Sequence, residues 1–383
     1  MEVCKWYSVV IVFIVFSCSS EEEPIESVFN VQQSFYNESD SDLLFSLEPP
    51  AATDRSFDYR FESNSALVGD DFADMSGVLT FPAGASTATI ESVLINDVFP
   101  ELMESFMVII SEDGVETTFE IRITDDDEIS ADVLEDLGDG LSSPDTYPSM
   151  RLIWSDEFDG DELNLDNWTH EIGNGCDQGL CGWGNNELQS YQEENTTLSD
   201  GYLTIEANQP SFGGYRSSRI ITKGKQEFEH GRIDVRAKLP SGQGLWPAIW
   251  MLGSNIDEVG WPTCGEIDIM ELVGHEPETV HGTIHFNRDG HVFTGDEYRL
   301  SGTDFSQEFH VFSLLWEQGT LKWYVDYELF YSSNSGEVGS TYPFDNDFFF
   351  IFNVAVGGNW PGDPDDTTVF PQQMVVDYIR VFQ

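Results

Sequence analysis

The segment Gly265-Glu266-Ile267-Asp268-Ile269-Met270-Glu271 alternates acidic and apolar side chains until its last residue breaks the pattern. Successive side chains of a β-strand point to opposite faces, so Glu266 and Asp268 share one face. Strict alternation would place Glu271 on the apolar face, where an unpaired carboxylate is costly. We therefore predict a β-bulge at about Ile269–Met270, which returns Glu271 to the face of the other two acids.

The rest of the chain also indicates an all-β protein. Residues 150–383 contain strand-like segments and nine of the ten Trp, and a domain of this size predicts two large, stacked, curved sheets. Residues 27–128 contain short strands separated by turn residues, which predicts a separate β-sandwich. Residues 129–149 are rich in Asp, Gly, Ser and Pro and are interpreted as a linker.

The composition excludes some classes of partner. The 383 residues include 16 Lys and Arg against 70 Asp and Glu, a formal net charge of −54. Nucleic acid is not an expected partner, because phosphate backbones are bound through Lys and Arg. Strongly anionic polymers are disfavoured for the same reason, so a neutral partner is expected. The hydrophobic content of 40% predicts a packed core rather than a disordered chain.

The amino terminus has the features of an export signal. Lys5 precedes an apolar run, Trp6–Phe16, that is too short for a mature membrane helix but fits a signal peptide over residues 1–17. Val15-Phe16-Ser17-Cys18 resembles a bacterial lipobox, which implies a lipid on Cys18 after cleavage. We expect residues 18–26 to form an acidic tether. The protein would be exported and anchored to the outer membrane surface through this lipid alone, with ordinary secretion as the alternative.

The three acids of the 265–271 segment predict a hydrolytic site. Three close carboxyls cannot all ionise cheaply, so one of them should have a raised pKa and supply a proton near neutrality. A retaining glycosidase needs two carboxyls about 5–5.5 Å apart, which two Glu side chains on one curved strand can approach. Trp246, Trp250 and Trp261 precede the acids, and such rings stack on the C–H faces of sugars. This context favours a sugar polymer over the alternative of a solvated, acidic edge strand.

These residues resemble glycoside hydrolase family 16, in its bacterial laminarinase (endo-β-1,3-glucanase) branch. The motifs are Trp246-Pro-Ala-Ile-Trp-Met-Leu252, Glu266-Ile-Asp-Ile-Met-Glu271 and His281-Gly-Thr-Ile-His285, and the likeness extends over 151–383. The resemblance implies a β-jelly-roll with an open cleft and endo-acting, retaining hydrolysis of β-1,3-glucan, a neutral polysaccharide. Glu266 would be the nucleophile, Glu271 the general acid/base and Asp268 a hydrogen-bond partner of the nucleophile. His285 would lie near Glu271.

The resemblance also implies a sugar-binding set and leaves alternatives open. The longer Glu-to-Glu spacing separates this chain from lichenases and xyloglucan transglycosylases, although agarases share it. An agarase-like enzyme, a mixed-linkage glucanase and a non-catalytic glucan-binding protein therefore stay as alternatives. Inactive relatives lose the glutamate pair, whereas this chain keeps all three acids. The expected sugar walls are Trp246, Trp250 and Trp261, with hydroxyl groups bound by Asn185, Glu187 and Arg219.

Calcium is the expected cofactor. The same resemblance implies a structural Ca²⁺ held by Glu157, the backbone oxygen of Gly201, and Asp377, since Ca²⁺ prefers oxygen ligands. Ordinary surface acids are the alternative. Gly69-Asp-Asp-Phe72 and Ile123-Thr-Asp-Asp-Asp127, with the segments between them, resemble a Calx-beta domain. Such domains can hold Ca²⁺ at one end, and the candidate ligands are Asp71, Asp97, Glu104, Asp125 and Asp126.

The remaining cysteines predict no zinc site. Cys176 and Cys181 lie close together in a Gly-rich loop and are candidates for a small disulfide in an oxidising compartment. Cys264 is left over and expected to be a free thiol. A monomer is expected.

Overall fold

The computed structural model describes residues 28–50, 52–64, 66, 68, 71–73, 75–96, 103–112, 114–124, 135–136, 139–147 and 150–383. The predicted leader, the tether and Cys18 lie outside the described residues, as do the candidate ligands Asp97, Asp125 and Asp126. Among the described residues, no helix is long and apolar enough to cross a membrane.

The amino-terminal region is a sandwich of two small sheets. The three-stranded sheet has the order β1-β3-β6 and the five-stranded sheet the order β2-β8-β7-β4-β5. Aromatic rings fill the space between them, for example Phe72 stacked on Phe106 at 4.3 Å. The strands are β1 (Val28–Val31), β2 (Phe35–Asn37), β3 (Leu43–Glu48), β4 (Arg55–Ser63), β5 (Ser76–Phe81), β6 (Thr87–Ile90), β7 (Glu104–Glu112) and β8 (Val115–Thr124).

The predicted sandwich is thus present, and of its candidate calcium ligands the structure describes two. Asp71 and Glu104 are both buried, at 5% and 9% exposure. The remaining three candidates are outside the described residues, so a calcium site in this domain stays a prediction.

The carboxyl-terminal region is also built almost entirely from strands. After β9 (Glu135–Asp136) and β10 (Leu141–Ser142) follow β11 (Leu152–Asp156), β12 (Thr169–His170), β13 (Gln189–Tyr191), β14 (Thr196–Ser199), β15 (Tyr202–Ala207), β16 (Tyr215–Ser217), β17 (Arg219–Ile221), β18 (Glu227–Phe228), β19 (Gly231–Lys238), β20 (Leu245–Gly253), β21 (Glu266–Glu271), β22 (Thr279–Asn287), β23 (His291–Arg299), β24 (His310–Glu317), β25 (Thr320–Val325), β26 (Glu328–Asn334), β27 (Phe348–Val356) and β28 (Gln372–Phe382). The helices are α1 (Ile256–Val259), α2 (Ser335–Val338) and 3₁₀ turns at Cys181–Gly184 and Glu193–Asn195.

These strands form the two stacked sheets that the sequence predicts. The front sheet has the order β12-β17-β27-β20-β21-β22-β23, with β18 also paired to β27. The back sheet has the order β14-β15-β28-β19-β24-β25-β26, with β11 also paired to β28. One apolar core contains inward side chains of both sheets, such as Ile267 of the front and Trp323 of the back. This is the all-β jelly-roll architecture.

The segment interpreted as a linker is not free along its described part. Residues 139–147, here called the strap, lie on the outer face of the back sheet. Arg236 of β19 donates to the carbonyl of Leu141 at 2.7 Å and to the carboxylate of Asp139 at 2.7 Å. Gly140 contacts Phe309 so closely that a Cβ there would lie 2.1 Å from the Phe309 carbonyl oxygen. Tyr147 ends the strap buried, and its hydroxyl donates to Asp234 at 2.5 Å.

Candidate active site

Strand β21 carries the predicted bulge. On its β20 side, Met270 pairs with Ile249 and Asp268 pairs with Trp250, so Ile269 is the extra residue. On its β22 side the register also shifts between Asp268 and Glu271. Ile267, Ile269 and Met270 all belong to the core between the sheets. Two consecutive inward residues therefore return Glu271 to the side of the other two acids.

Small and large residues from neighbouring strands hold the bulge in place. Gly282 of β22 lies opposite Ile269 and Met270, and a Cβ on Gly282 would lie 2.7 Å from Cδ1 of Trp323. The indole of Trp323, from the back sheet, donates to the carbonyl oxygen of Asp268 at 2.8 Å. A backbone carbonyl at the bulge is thereby satisfied inside the core, where an unpaired one would be costly.

The three carboxyls are desolvated and close enough to influence each other. Burial, followed by the neighbouring Asp268, raises the pKa of Glu266 to about 8. Burial followed by Asp268 likewise raises the pKa of Glu271 to about 8. Burial raises the pKa of Asp268 well above its usual range. At neutral pH the trio consequently holds protons, as a site that combines a nucleophile with a general acid requires.

Each glutamate receives an indole N–H from a tryptophan of the predicted sugar walls. Nε1 of Trp261 donates to Glu266 at 2.8 Å, and Nε1 of Trp246 donates to Glu271 at 2.9 Å. Trp250 instead donates to the side-chain oxygen of Asn353 at 2.8 Å. The walls therefore also orient the carboxyls, since a fixed donor fixes the oxygen that it contacts.

His285 lies next to a different glutamate from the one expected. It pairs across β21–β22 with Glu266, whereas His281 pairs with Glu271. Its Nε2 is 3.2 Å from Asp268 and 3.7 Å from Glu266. The sequence analysis expected His285 near Glu271; in the structure it lies opposite Glu266, four positions along β22 from His281. Glu271 experiences His285 only electrostatically, through a lowering of its pKa.

The predicted hydroxyl-binding residues form a second group beside Trp250. The Arg219 guanidinium lies between the rings of Trp183 and Trp250, at 4.6 and 4.9 Å from their centroids. Nε of Arg219 also donates to Glu171 at 2.5 Å. The structure thus brings Arg219 to the front sheet as a cation already held by one carboxylate.

Asn185 and Glu187 complete this second group. Glu187 accepts hydrogen bonds from Gln189 at 2.6 Å, from Tyr191 at 3.2 Å and from Asn185 at 3.4 Å. Burial raises the pKa of Glu187, against the opposing effect of these donors and of Arg219. The amide and carboxyl groups are therefore fixed before any ligand arrives, as a hydroxyl-binding site needs.

Sequence reasoning missed three aromatic residues around the acids. Trp360 is 42% exposed and contacts Trp246 and His281 edge to face, at 5.5 and 5.0 Å. On β23, the rings of His291 and Phe293 lie near His285, at centroid distances of 5.1 and 5.6 Å. Trp360 lies within 151–383, the range over which the family resemblance extends, and a further Trp in that range was the available indication.

The two cysteines of the Gly-rich loop are joined in a disulfide, Cys176–Cys181. Cys264 is buried and free.

The calcium set predicted in the catalytic region has other partners. Both carboxylate oxygens of Glu157 accept from Arg380, at 2.9 and 2.8 Å, and Asp377 accepts from Arg236 at 2.7 Å. Gly201 has a left-handed backbone, φ 82°, beside Asp159. Each carboxylate oxygen has two acceptor lone pairs, so the arginine contacts leave oxygen ligands that could hold Ca²⁺ together with the Gly201 carbonyl. Calcium binding at Glu157, Gly201 and Asp377 stays a prediction.

The front sheet presents paired glutamates on a bulged strand, with tryptophan walls, in a jelly-roll domain. Proteins of this class are glycoside hydrolases.

The chain belongs to glycosyl hydrolases family 16, whose sequence profile matches residues 182–380; a Calx-beta domain profile matches residues 21–127. A glucan endo-1,3-beta-glucosidase A1 of Niallia circulans is 39% identical over 273 residues, which are 65% of this chain and 40% of that protein. A beta-glucanase of Rhodothermus marinus is 39% identical over 64% of this chain and 89% of its own length. The laminarinase catalytic domain of Thermotoga maritima superposes with a TM-score of 0.57 at 48% identity, covering 61% of this chain and 98% of that domain.

Proposed function

We propose that this glycoside hydrolase cleaves β-1,3-glucan of the laminarin type, at internal bonds and with retention of anomeric configuration. The observation that carries the proposal is the bulge of β21, which brings Glu266, Asp268 and Glu271 to one side of the front sheet. The similarity to an endo-1,3-beta-glucosidase and to a laminarinase supports the choice of substrate.

The reaction follows from the positions of the two glutamates. Glu271, protonated at its raised pKa, donates its proton to the glycosidic oxygen as the bond to the anomeric carbon breaks. Glu266 attacks the anomeric carbon as a carboxylate and forms a glycosyl ester. Glu271, now a base, removes a proton from water, which attacks the anomeric carbon and releases Glu266. Two inversions at one carbon give net retention.

Asp268 and His285 assist the nucleophile. Asp268 lies between the two glutamates on β21 and is buried, so a proton can stay on it while Glu266 ionises. Nε2 of His285 faces Asp268 at 3.2 Å and Glu266 at 3.7 Å. A donor at this position stabilises the negative charge that Glu266 must carry when it attacks.

The walls of the site suit a neutral sugar chain. Trp261 and Trp360 beside the acids are exposed and Trp246 is half-buried, so the three rings can stack on pyranose faces. The nearby cation Arg219 already pairs with Glu171, so it offers little free charge to a sulfate group. These features favour glucan over a sulfated galactan.

A substrate panel tests the proposal. The purified protein is incubated with laminarin, lichenan and agarose, and the products are sized by chromatography while the anomeric protons are followed by NMR. We expect laminarin to yield a ladder of short oligosaccharides whose new reducing ends are initially β. Release of agar oligosaccharides alone would overturn the glucan assignment, and initial α products would overturn the two-step mechanism.

The non-catalytic alternative is tested on the same samples. Laminarin in the gel would slow the migration of a glucan-binding protein in affinity electrophoresis, and the length of the laminarin chains would stay unchanged. We expect Glu266→Gln to behave in this way and the wild type to shorten the polymer.

We also propose that the amino terminus is exported and lipidated at Cys18. The supporting observation is the apolar run that ends at a lipobox-like motif. Metabolic labelling with a radioactive fatty acid should mark the wild type and leave Cys18→Ala unlabelled. A secreted, unlabelled wild type would overturn the anchor.

A further inference from the structure

A second imidazole contacts the site from its outer edge. Nδ1 of His285 lies 2.8 Å from Nε2 of His291, which begins β23. The two rings are nearly parallel, with an interplanar angle of 12°, yet their centroids are 5.1 Å apart. A short N···N distance between parallel rings so far apart places them edge to edge, which is the geometry of an N–H···N hydrogen bond.

The surroundings of the imidazole pair hold it in this arrangement. Trp261 packs on His291 at a centroid distance of 4.5 Å and also donates to Glu266, so one indole contacts both ends of the network. His291 is exposed, whereas His285 is partly buried. The groups that face the pair are Glu266, Asp268 and, electrostatically, Glu271 from β21, Trp261 from the preceding loop, and Phe293 from β23.

The contact between Nε2 of His285 and Asp268 does not by itself determine which ring nitrogen of His285 carries the hydrogen. Oδ2 of Asp268 lies 3.2 Å from Nε2 of His285 but forms no hydrogen bond with the described residues, so this contact does not fix the position of the hydrogen. The hydrogen bond at the other ring nitrogen therefore determines the tautomer of His285.

His291 supplies a donor at that nitrogen in both of its common states. As an imidazolium it carries hydrogen on both ring nitrogens. As a neutral imidazole in contact with water it favours hydrogen on Nε2, the atom that faces Nδ1 of His285. In either state an N–H is directed at Nδ1, which leaves the hydrogen of neutral His285 on Nε2.

We propose that His291 is a positioning residue, whose Nε2–H donates to Nδ1 of His285 and so keeps Nε2 of His285 as a donor toward Asp268 and Glu266. The kinetic consequence rests on the proposed function, whereas the tautomer does not. When Glu266 ionises, the donor at His285 is already oriented toward the charge.

The first test reads the tautomer in the resting protein, without substrate. Nitrogen-15 labelling of the seven histidines gives two-bond N–H couplings that distinguish the two neutral forms, and His285→Gln assigns the His285 resonances. We expect the Nε2–H form of His285 in the wild type and a measurable Nδ1–H population in His291→Phe, which keeps the packing on Trp261. His291→Gln, whose amide nitrogen reaches the same place, should restore the Nε2–H form.

The second test reads catalysis. In His291→Phe we expect kcat on laminarin to fall about tenfold with KM nearly unchanged, because the residue orients a charge-stabilising donor rather than binding sugar. His291→Gln should recover most of kcat. Asp289→Asn, exposed on the same hairpin turn, is the matched control and should change neither the tautomer nor kcat.

The outcomes separate the two proposals. An unchanged His285 tautomer in His291→Phe overturns the positioning role, and so does a changed tautomer with unchanged kcat. If the wild type has the expected tautomer and His291→Phe alters it, but laminarin is not cleaved, the hydrogen-bond assignment stands and the proposed function fails.

Discussion

On the front sheet, three carboxyls of β21 lie together, and among the described residues no Lys or Arg forms an ion pair with any of them. On the back sheet, Arg232, Asp234 and Arg236 alternate along β19 and are more deeply buried, and each is paired: Arg232 with Asp234 at 2.9 Å, and Arg236 with Asp139 and Asp377 at 2.7 Å. The chain has few cations, 16 in all. Their placement pairs buried charges on the back sheet and leaves the three carboxyls of β21 without a Lys or Arg partner in the described part of the chain.

The difference is visible in the protonation of the acids. On the front sheet burial raises the pKa of Glu266 and Glu271 to about 8. On the back sheet burial also raises the pKa of Asp377, but Arg236 and Arg380 oppose this rise. An arginine beside a buried carboxylate favours its charged form, whereas burial without an arginine favours the protonated form.

The largest effect should come from removing a front-sheet carboxylate. Glu266→Gln should reduce the rate of laminarin cleavage by at least about 10³-fold, because the amide cannot form the glycosyl ester. Release of reducing ends measures the rate, and the exposed acid variant Glu308→Gln should retain full activity. Comparable rates in the two variants would contradict the assignment of the nucleophile.

Breaking a back-sheet pair should instead cost stability. Arg232→Met leaves Asp234 buried without its cation and removes a guanidinium that lies 4.7 Å from the rings of Tyr147 and Tyr327. We expect the free energy of unfolding to fall by about 3–5 kcal/mol, measured by urea denaturation. Arg299→Met, at an exposed pair with Glu278, should change it by less than about 1 kcal/mol. Equal losses of unfolding free energy in the two variants would show that the buried pair does not stabilise the fold more than the exposed pair.

The pH dependence of stability should sharpen the contrast. The pKa of Glu271 is raised from 4.5 to about 8 in the folded protein, so the folded state binds this proton more tightly than the unfolded state. The wild type therefore loses stability as the pH rises from 4.5 through about 8. Glu271→Gln does not titrate and should be more stable than the wild type by up to about 5 kcal/mol at alkaline pH. Thermal unfolding should show that Glu271→Gln is more stable than the wild type at alkaline pH only. An equal gain in stability at acidic and alkaline pH would refute the link between stability and the pKa of Glu271.

A smaller effect should follow from removing one indole donor. Trp246→Phe deletes the N–H that contacts Glu271 at 2.9 Å, and a donor to a carboxylate lowers its pKa. The pKa of Glu271 should then rise, moving the alkaline limb of the pH–rate profile to higher pH, with kcat lowered about fivefold. Trp250→Phe is the matched control, because its N–H contacts Asn353 and not an acid. If the alkaline limb of the pH–rate profile moved in both variants, the cause would be lost stacking on sugar rather than the lost hydrogen bond to Glu271.

The bulge could be predicted from sequence because two physical rules conflicted at one residue. Alternation placed Glu271 in the core, and the cost of a buried carboxylate required an extra residue before it. The sheet-on-sheet fold followed similarly from strand periodicity. The partner of His285 could not be predicted in this way, since it depends on the register between β21 and β22, which the bulge itself shifts.

The packing of the strap against the back sheet could not be predicted from the sequence for a different reason. Its Asp, Gly, Ser and Pro residues have no apolar period, so the sequence favoured a linker. What fixes the segment is a set of arginines on β19 and β28, and those hydrogen-bond mainly to its backbone carbonyls. Every sequence has the same backbone carbonyls, so amino-acid composition cannot predict which of them accept hydrogen bonds from the arginines.

The strap also determines where the catalytic unit can be cut. A fragment starting at Met150 would lose Asp139 and Tyr147 and uncover the Arg232–Asp234–Arg236 row to water on one side. A fragment starting at residue 135 would keep that row covered. A fragment trimmed to the first strand of the sheets would therefore lack the Asp139 and Tyr147 partners of this row, and we expect it to be less stable than a fragment that keeps the strap.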